Sequence, residues 1–214
     1  MDDVESRRSS GLNGCEPDAH ARARLLRAAA DVFDRKGYAA ASVREIVEQA
    51  GITKPVLYYH FGSKEGILLA ILEEGARQFQ RTLAGAAGRP GTARERLVGL
   101  CEEIFTLFKQ NVPVVRVAHA VYFGPREGLP AFDFNKFDGA LADALRRLVE
   151  EGMATGELRH APVEDVVIAI NGVIGLCTDL ELNPHSTPIG CGGLRRVLDL
   201  IFDGVSATRD EKEN

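Results

Sequence analysis

SVREIVEQAGITKPVLYYHFGSK, residues 42–64, reads as a short helix, a tight turn, a second short helix and the start of a third. Ser42 is an N-cap residue type, and Glu45 three residues on completes a capping box, so a helix starts there. Val43, Ile46, Val47 and Ala50 recur at helical spacing and give it one apolar face. Gly51 follows at once, the residue that tolerates the left-handed conformation at a helix C-terminus. Thr53 is then placed to cap a second helix, with Pro55 in its first turn, where a missing N–H breaks no bond. That helix carries Val56, Leu57, Tyr58, Tyr59, His60 and Phe61. Gly62 ends it and Ser63 caps the next.

Two short helices around a glycine-containing turn, the second rich in Tyr, Lys and His, form a helix-turn-helix pattern. Its surroundings agree: an Ala-rich helix ending AADVFDRKGY, then ASVREIVEQAGI, then TKPVLYYHFGSKEGIL. Over Ala28 to Leu68 the sequence resembles the DNA-binding domain of the TetR family of transcriptional regulators. The rest of the chain matches that family only in length and helical character.

The resemblance implies a recognition helix over Thr53–Tyr59, with Lys54, Pro55 and Tyr59 toward base edges. Lys54 suits guanine O6 or N7. Pro55 and the Tyr59 ring suit a thymine methyl. Thr53, Tyr58, His60 and Lys64 would hold phosphates, which sets register rather than sequence. On that reading, loss of Lys64 weakens binding on all sequences alike. Ser42 and Arg44 are placed to hold the DNA backbone, with Arg44 also within reach of a base. One departure is Pro55, where the family commonly has a small residue.

The charge distribution agrees with this placement. The whole chain carries a net charge of −5, but residues 20–64 hold 8 Arg or Lys against 4 Asp or Glu. A basic module on an acidic body suits a DNA-docking domain joined to a domain with another task.

No apolar run approaches the roughly 18 to 20 residues a membrane span needs, and the N-terminus shows no signal-peptide core. Cys15, Cys101, Cys177 and Cys191 lie far apart without a CxxC, as in a cytoplasmic protein with reduced thiols.

The periodicity predicts an all-α chain of about nine helices. Residues 1–18 are polar and read as a disordered tail, in which Arg7 and Arg8 are solvated, with a reach to DNA beside the main site as the alternative. Residues 19–64 form the DNA-binding domain, 65–206 a helical effector-binding and dimerisation domain, and 207–214 a charged tail. Ala19–Lys36 is the first helix, with Arg22, Arg24 and Arg27 outward. Lys64–Ala84 is one long helix leaving the DNA-binding domain, with Gly75 serving either a bend or close packing. GAAGRPG (85–91) reads as a joint. Helices follow over Thr92–Gln110, Val114–Phe123 and Asp133–Met153, the first two separated by Asn111–Val112–Pro113. Val163–Leu182 is strongly apolar. A strand is the alternative there, but length favours a helix. Asn183–Gly193 reads as a loop and Leu194–Val205 as the last helix.

By resemblance, the last two helices join two subunits into a homodimer on a palindromic operator, and an effector shifts the long helix and releases DNA. Repression is the family default. Aromatic and weakly polar residues on apolar faces mark an effector pocket: Phe105, Phe108, His119, Tyr122, Phe123, Phe137 and Asn171. They suggest a small apolar or aromatic effector. Alternatives are a regulator without a ligand, a metal or redox sensor, or an enzyme. Against an enzyme, the chain has no P-loop, GxGxxG, HExxH or local Ser-His-Asp constellation. The spacings of Cys101, His119, His160, Cys177, His185 and Cys191 match no ligand pattern, so no metal or cofactor is expected.

Overall fold

The structure, a computed structural model, describes residues 15–124 and 129–204. Among the described residues every regular element is a helix: α1 (Cys15–Lys36), α2 (Val43–Ala50), α3 (Lys54–Phe61), α4 (Lys64–Ala87), α5 (Ala93–Gln110), α6 (Val112–Phe123), α7 (Asn135–Ala154), α8 (Val163–Leu182) and α9 (Gly190–Asp203). The all-α expectation agrees with this order, and Val163–Leu182 is a helix rather than a strand.

Several limits move. α1 begins at Cys15, so residues 15–18, read from sequence as tail, are helical. Pro17 falls in the first turn, and Asp18 places negative charge near the positive end of the helix. α6 begins at Val112, so Pro113 lies in its first turn instead of interrupting the chain. α4 runs to Ala87, which shortens the expected joint. α9 begins at Gly190, inside the expected loop. Gly193 is buried there, and a Cβ on it would lie 2.1 Å from Ile189 Cγ1, so this glycine answers a packing demand rather than marking a turn. Residues 1–14, with Arg7 and Arg8, and 207–214 lie outside the described residues.

The chain divides into two compact units. One is Met1–Gly75 with Pro113–Phe132, and the other is Ala76–Val112 with Asp133–Asn214. The sequence reading drew its boundary at Lys64. The contacts divide α4 after Gly75 and group α6 with the first unit.

In the first unit, α1 packs on α2 and α3. Leu25, Ala29, Val32, Phe33, Ile46, Leu57, Ile67 and Leu68 are buried. Gly75 resolves toward packing: a Cβ there would meet Val114 of α6 at 3.3 Å. Arg116 of α6 pairs with Asp34 of α1 at 3.3 Å.

In the second unit, α5, α7, α8 and α9 share one core built on Leu97, Ile104, Phe105, Leu145, Ile170, Ile174, Leu194 and Leu198. Ion pairs tie its helices together. Arg94 of α5 meets Asp199 at 2.8 Å and Asp203 at 2.5 Å on α9. Arg195 of α9 meets Glu102 of α5 at 2.6 Å. Cys101 is buried in this core, and burial pushes its thiol up to about 12, which leaves it without thiolate character at neutral pH.

One face of this unit is uncovered among the described residues. Ile168 and Leu176 of α8 are 68% and 63% exposed, and Leu200 of α9 is exposed as well. Ala169, Gly172 and Gly175 lie exposed between or beside them on α8. Among the described residues, α8 is therefore apolar on two sides, one packed in the core of its unit and the other exposed.

Candidate nucleic-acid interface

The interface is built from α2, the turn after it, and α3. Ser42 has extended backbone, and its hydroxyl accepts from the Glu45 N–H at 3.3 Å. The Glu45 carboxylate returns the bond, accepting from the Ser42 N–H at 3.0 Å. It also accepts from the Lys36 ammonium. These bonds, Lys36 foremost, hold the Glu45 carboxyl down at about 2. A carboxyl depressed on folding adds stability above its ordinary range, and that stability is lost as pH falls toward the depressed value. Thermal unfolding of Glu45→Gln should therefore respond less steeply than the wild type to acidification between about pH 4.5 and 2. Parallel curves across that window would show that Glu45 is not held this way.

Gly51 ends α2 in the left-handed region at φ 60° and ψ 41°. The guanidinium of Arg24 on α1 donates to the preceding carbonyl, Ala50 O, at 2.5 Å. Arg24, expected to point outward, thus closes the C-terminus of α2. Thr53 precedes α3 with extended backbone but makes no side-chain cap bond, so the cap read from sequence is not formed and its hydroxyl is left exposed. Pro55 occupies the first turn as expected.

On α3, Leu57 is fully buried and anchors the helix. Lys54 and Tyr58, like Pro55 and Tyr59, are four residues apart and lie on one side of the helix. All four are exposed, Tyr58 at 49% and Tyr59 at 77%. A cation, a rigid apolar ring and two phenols thus share a solvent-facing arc that carries both base-edge and phosphate chemistry. Arg44 is exposed nearby on α2 and pairs with Glu48 at 2.6 Å.

Two expected phosphate contacts are placed differently. His60 turns inward: its side chain is only 6% exposed, and Nε2 lies 3.2 Å from Asp18 Oδ1 on α1. Lys64 is also turned away from the arc. Its ammonium donates to the carbonyls of Tyr38 at 2.9 Å, Ala41 at 2.9 Å and Ala39 at 3.4 Å, and stands 4.4 Å from the centre of the Tyr38 ring. The loop between α1 and α2 has carbonyls that no helix satisfies, and Lys64 fills that need. The Ser42 hydroxyl is likewise engaged by Glu45, so a phosphate there must share it.

Sequence reasoning missed Asp18 because it lay in the presumed tail. It also missed the inward roles of Arg24 and Lys64, because their partners are backbone carbonyls with no residue signature. Arg22, whose guanidinium carbon lies 5.5 Å from the centre of the Phe61 ring, braces the same end of α3.

The expected effector residues fall on both units. Phe105 is core and Phe108 stacks on Phe79, with ring centres 6.1 Å apart, both in the second unit. His119, Tyr122 and Phe123 form an exposed ring cluster on α6 in the first unit. The Phe137 side chain lies outside those described. Asn171 stands on the exposed side of α8, not in the apolar surroundings expected, because that helix has two apolar faces. Among the described residues no group of His, Cys, Asp or Glu is placed to hold a metal ion, and no helix is long and apolar enough to cross a membrane.

A capped α2, a left-handed glycine turn, and an α3 anchored by one leucine beneath an exposed polar and aromatic arc define the helix-turn-helix class. Residues 25–71 match the family model described as bacterial regulatory proteins, tetR family. Over those residues the chain carries the DNA-binding domain of the TetR family of transcriptional regulators.

Among curated relatives, the transcriptional activator FasR of Mycolicibacterium smegmatis is 36% identical over 44% of this chain, a match spanning 43% of FasR, so less than half of that relative's length. The transcriptional repressor NicS of Pseudomonas putida is 25% identical over 84% of both chains. Among solved structures, the regulator FadR of Bacillus subtilis in complex with stearoyl-CoA superposes with a TM-score of 0.63 at 22% identity, covering 86% of this chain and 99% of FadR. That last likeness concerns the fold alone.

Proposed function

We propose that the protein binds a palindromic operator as a homodimer, represses transcription in the cytoplasm, and is released by a small apolar effector. The exposed arc of Lys54, Pro55, Tyr58 and Tyr59 above buried Leu57 carries the proposal. One such helix reads few base pairs, and two related by a two-fold axis read half-sites about one helical turn apart. The uncovered apolar side of α8 and α9, with Ile168, Leu176 and Leu200, supports pairing of two copies there. Repression is supported by NicS, a repressor matched along most of its length. An apolar effector is supported by the stearoyl-CoA bound to FadR and by the aromatic content of α5 and α6. In this scheme residues 19–64 read DNA, and residues 65–206 take the effector and the partner copy. The effector must bind the DNA-free state more tightly than the DNA-bound state, by as much as it weakens DNA binding.

The test is selection of bound sequences from random duplex DNA with the purified protein at one stated salt concentration. An enriched palindrome is expected. Tyr59→Ala should then relax preference at one or two base positions, by about 1–3 kcal/mol each. Recovery of the same site with undiminished preference would remove Tyr59 from the reading set.

A further inference from the structure

We infer that Asp18 is a positioning residue for base reading by Tyr59, acting through the ring of His60. The inference rests on the DNA-reading proposal above and adds a residue that never touches DNA.

Nε2 of His60 is sealed from solvent and has no well-aligned hydrogen-bond partner among the described residues. A buried ring nitrogen needs a partner, and its surroundings decide which tautomer it holds. The charged neighbour within reach is Asp18 Oδ1 at 3.2 Å. A small rotation of that carboxylate, which is half-exposed and free to turn, lets Nε2–H donate to it.

The ring is coupled to its neighbours. The Tyr59 and His60 rings meet edge to face, with centres 5.2 Å apart at 70°. His60 and Phe61 lie 5.8 Å apart, and Arg22 stands over Phe61. Asp18 and Arg22 are four residues apart, hence on one face of α1, so a single helix face braces the run Tyr59–His60–Phe61. Tyr59 is largely in solvent, and its ring contact with His60 is what steadies it. Removing the carboxylate frees the imidazole to turn, and the Tyr59 ring then loses the surface that fixes its rotamer.

The experiment is parallel selection from random duplex DNA, using full-length wild type, Asp18→Ala, Asp18→Asn, Tyr59→Ala and the double variant Asp18→Ala/Tyr59→Ala. The wild type should discriminate on the order of tenfold at the position that Tyr59 reads. Asp18→Ala should bring that to about two- to threefold at the same position and leave the others intact. Asp18→Asn should retain most of it, because an amide oxygen accepts the same N–H. The double variant should match Tyr59→Ala alone, since both changes act on one ring.

A general structural role would lower affinity evenly and leave the base profile unchanged. That result, or an unchanged profile with unchanged affinity, would overturn the inference while leaving the DNA-reading proposal intact. If the wild type itself enriches no site, that proposal fails and the inference falls with it.

Discussion

Leu176→Asp is expected to convert the protein to a monomer and to weaken operator binding by about two orders of magnitude, since linking two reading heads commonly multiplies affinity 10²–10⁴-fold. The expectation follows from where Leu176 sits. It is 63% exposed on α8, beside exposed Gly175 and Gly172 and one face from a well-filled core. A charge there costs the isolated chain little, because the side chain is already in water. Placed between two apolar helix faces, the same charge loses its hydration without gaining a partner, which is strongly unfavourable. The unfolding of the monomer should therefore be nearly unchanged while association is lost. Sedimentation equilibrium gives the oligomeric state, and a titration of the selected operator gives the affinity. A dimeric Leu176→Asp protein with full affinity would place the two-fold contact elsewhere. The control is Leu198→Asp, which should unfold the chain, since Leu198 is fully buried in the core.

Lys64→Met should lower the unfolding free energy by roughly 2–3 kcal/mol, because charge-assisted hydrogen bonds to partly buried carbonyls contribute about 1.5–3 kcal/mol and the carbonyls would be left without a donor. The carbonyls of Tyr38, Ala39 and Ala41 all accept from this one ammonium. Met keeps much of the apolar stem against the Tyr38 ring, so the effect isolates the charge. Measured where the variant is still folded, the salt dependence of DNA binding should keep its wild-type slope, because this ammonium is turned toward the protein. Lys54→Ala is the contrast. Lys54 is exposed on α3 and has no partner among the described residues, so its loss should lower the slope by about one. A slope that falls by about one with Lys64→Met would mean that the ammonium leaves its carbonyls for a phosphate when DNA arrives. That would restore the role first read from the sequence.

Residue order alone determined a good deal. The all-α class, the helix-turn-helix and its capping box, the turn at Gly51 and the exposed arc of α3 all follow from neighbours within about four positions. Ser42 and Glu45 cap each other three residues apart, and Lys54 and Tyr58 share a face because a helix repeats every 3.6 residues. Local geometry suffices for such features.

Only the tertiary structure decided the rest, where a side chain's partner is distant in sequence or is a backbone atom. Lys64 reaches carbonyls 23 to 26 residues away. Arg24 reaches the end of α2, 26 residues on. His60 faces Asp18 across a helix boundary that no local signal placed correctly. The same limit explains Asn171. α8 is apolar nearly all round, so its periodicity cannot tell the side that faces its own core from the side left exposed. A helix period gives direction relative to the helix axis, and packing decides what lies in that direction.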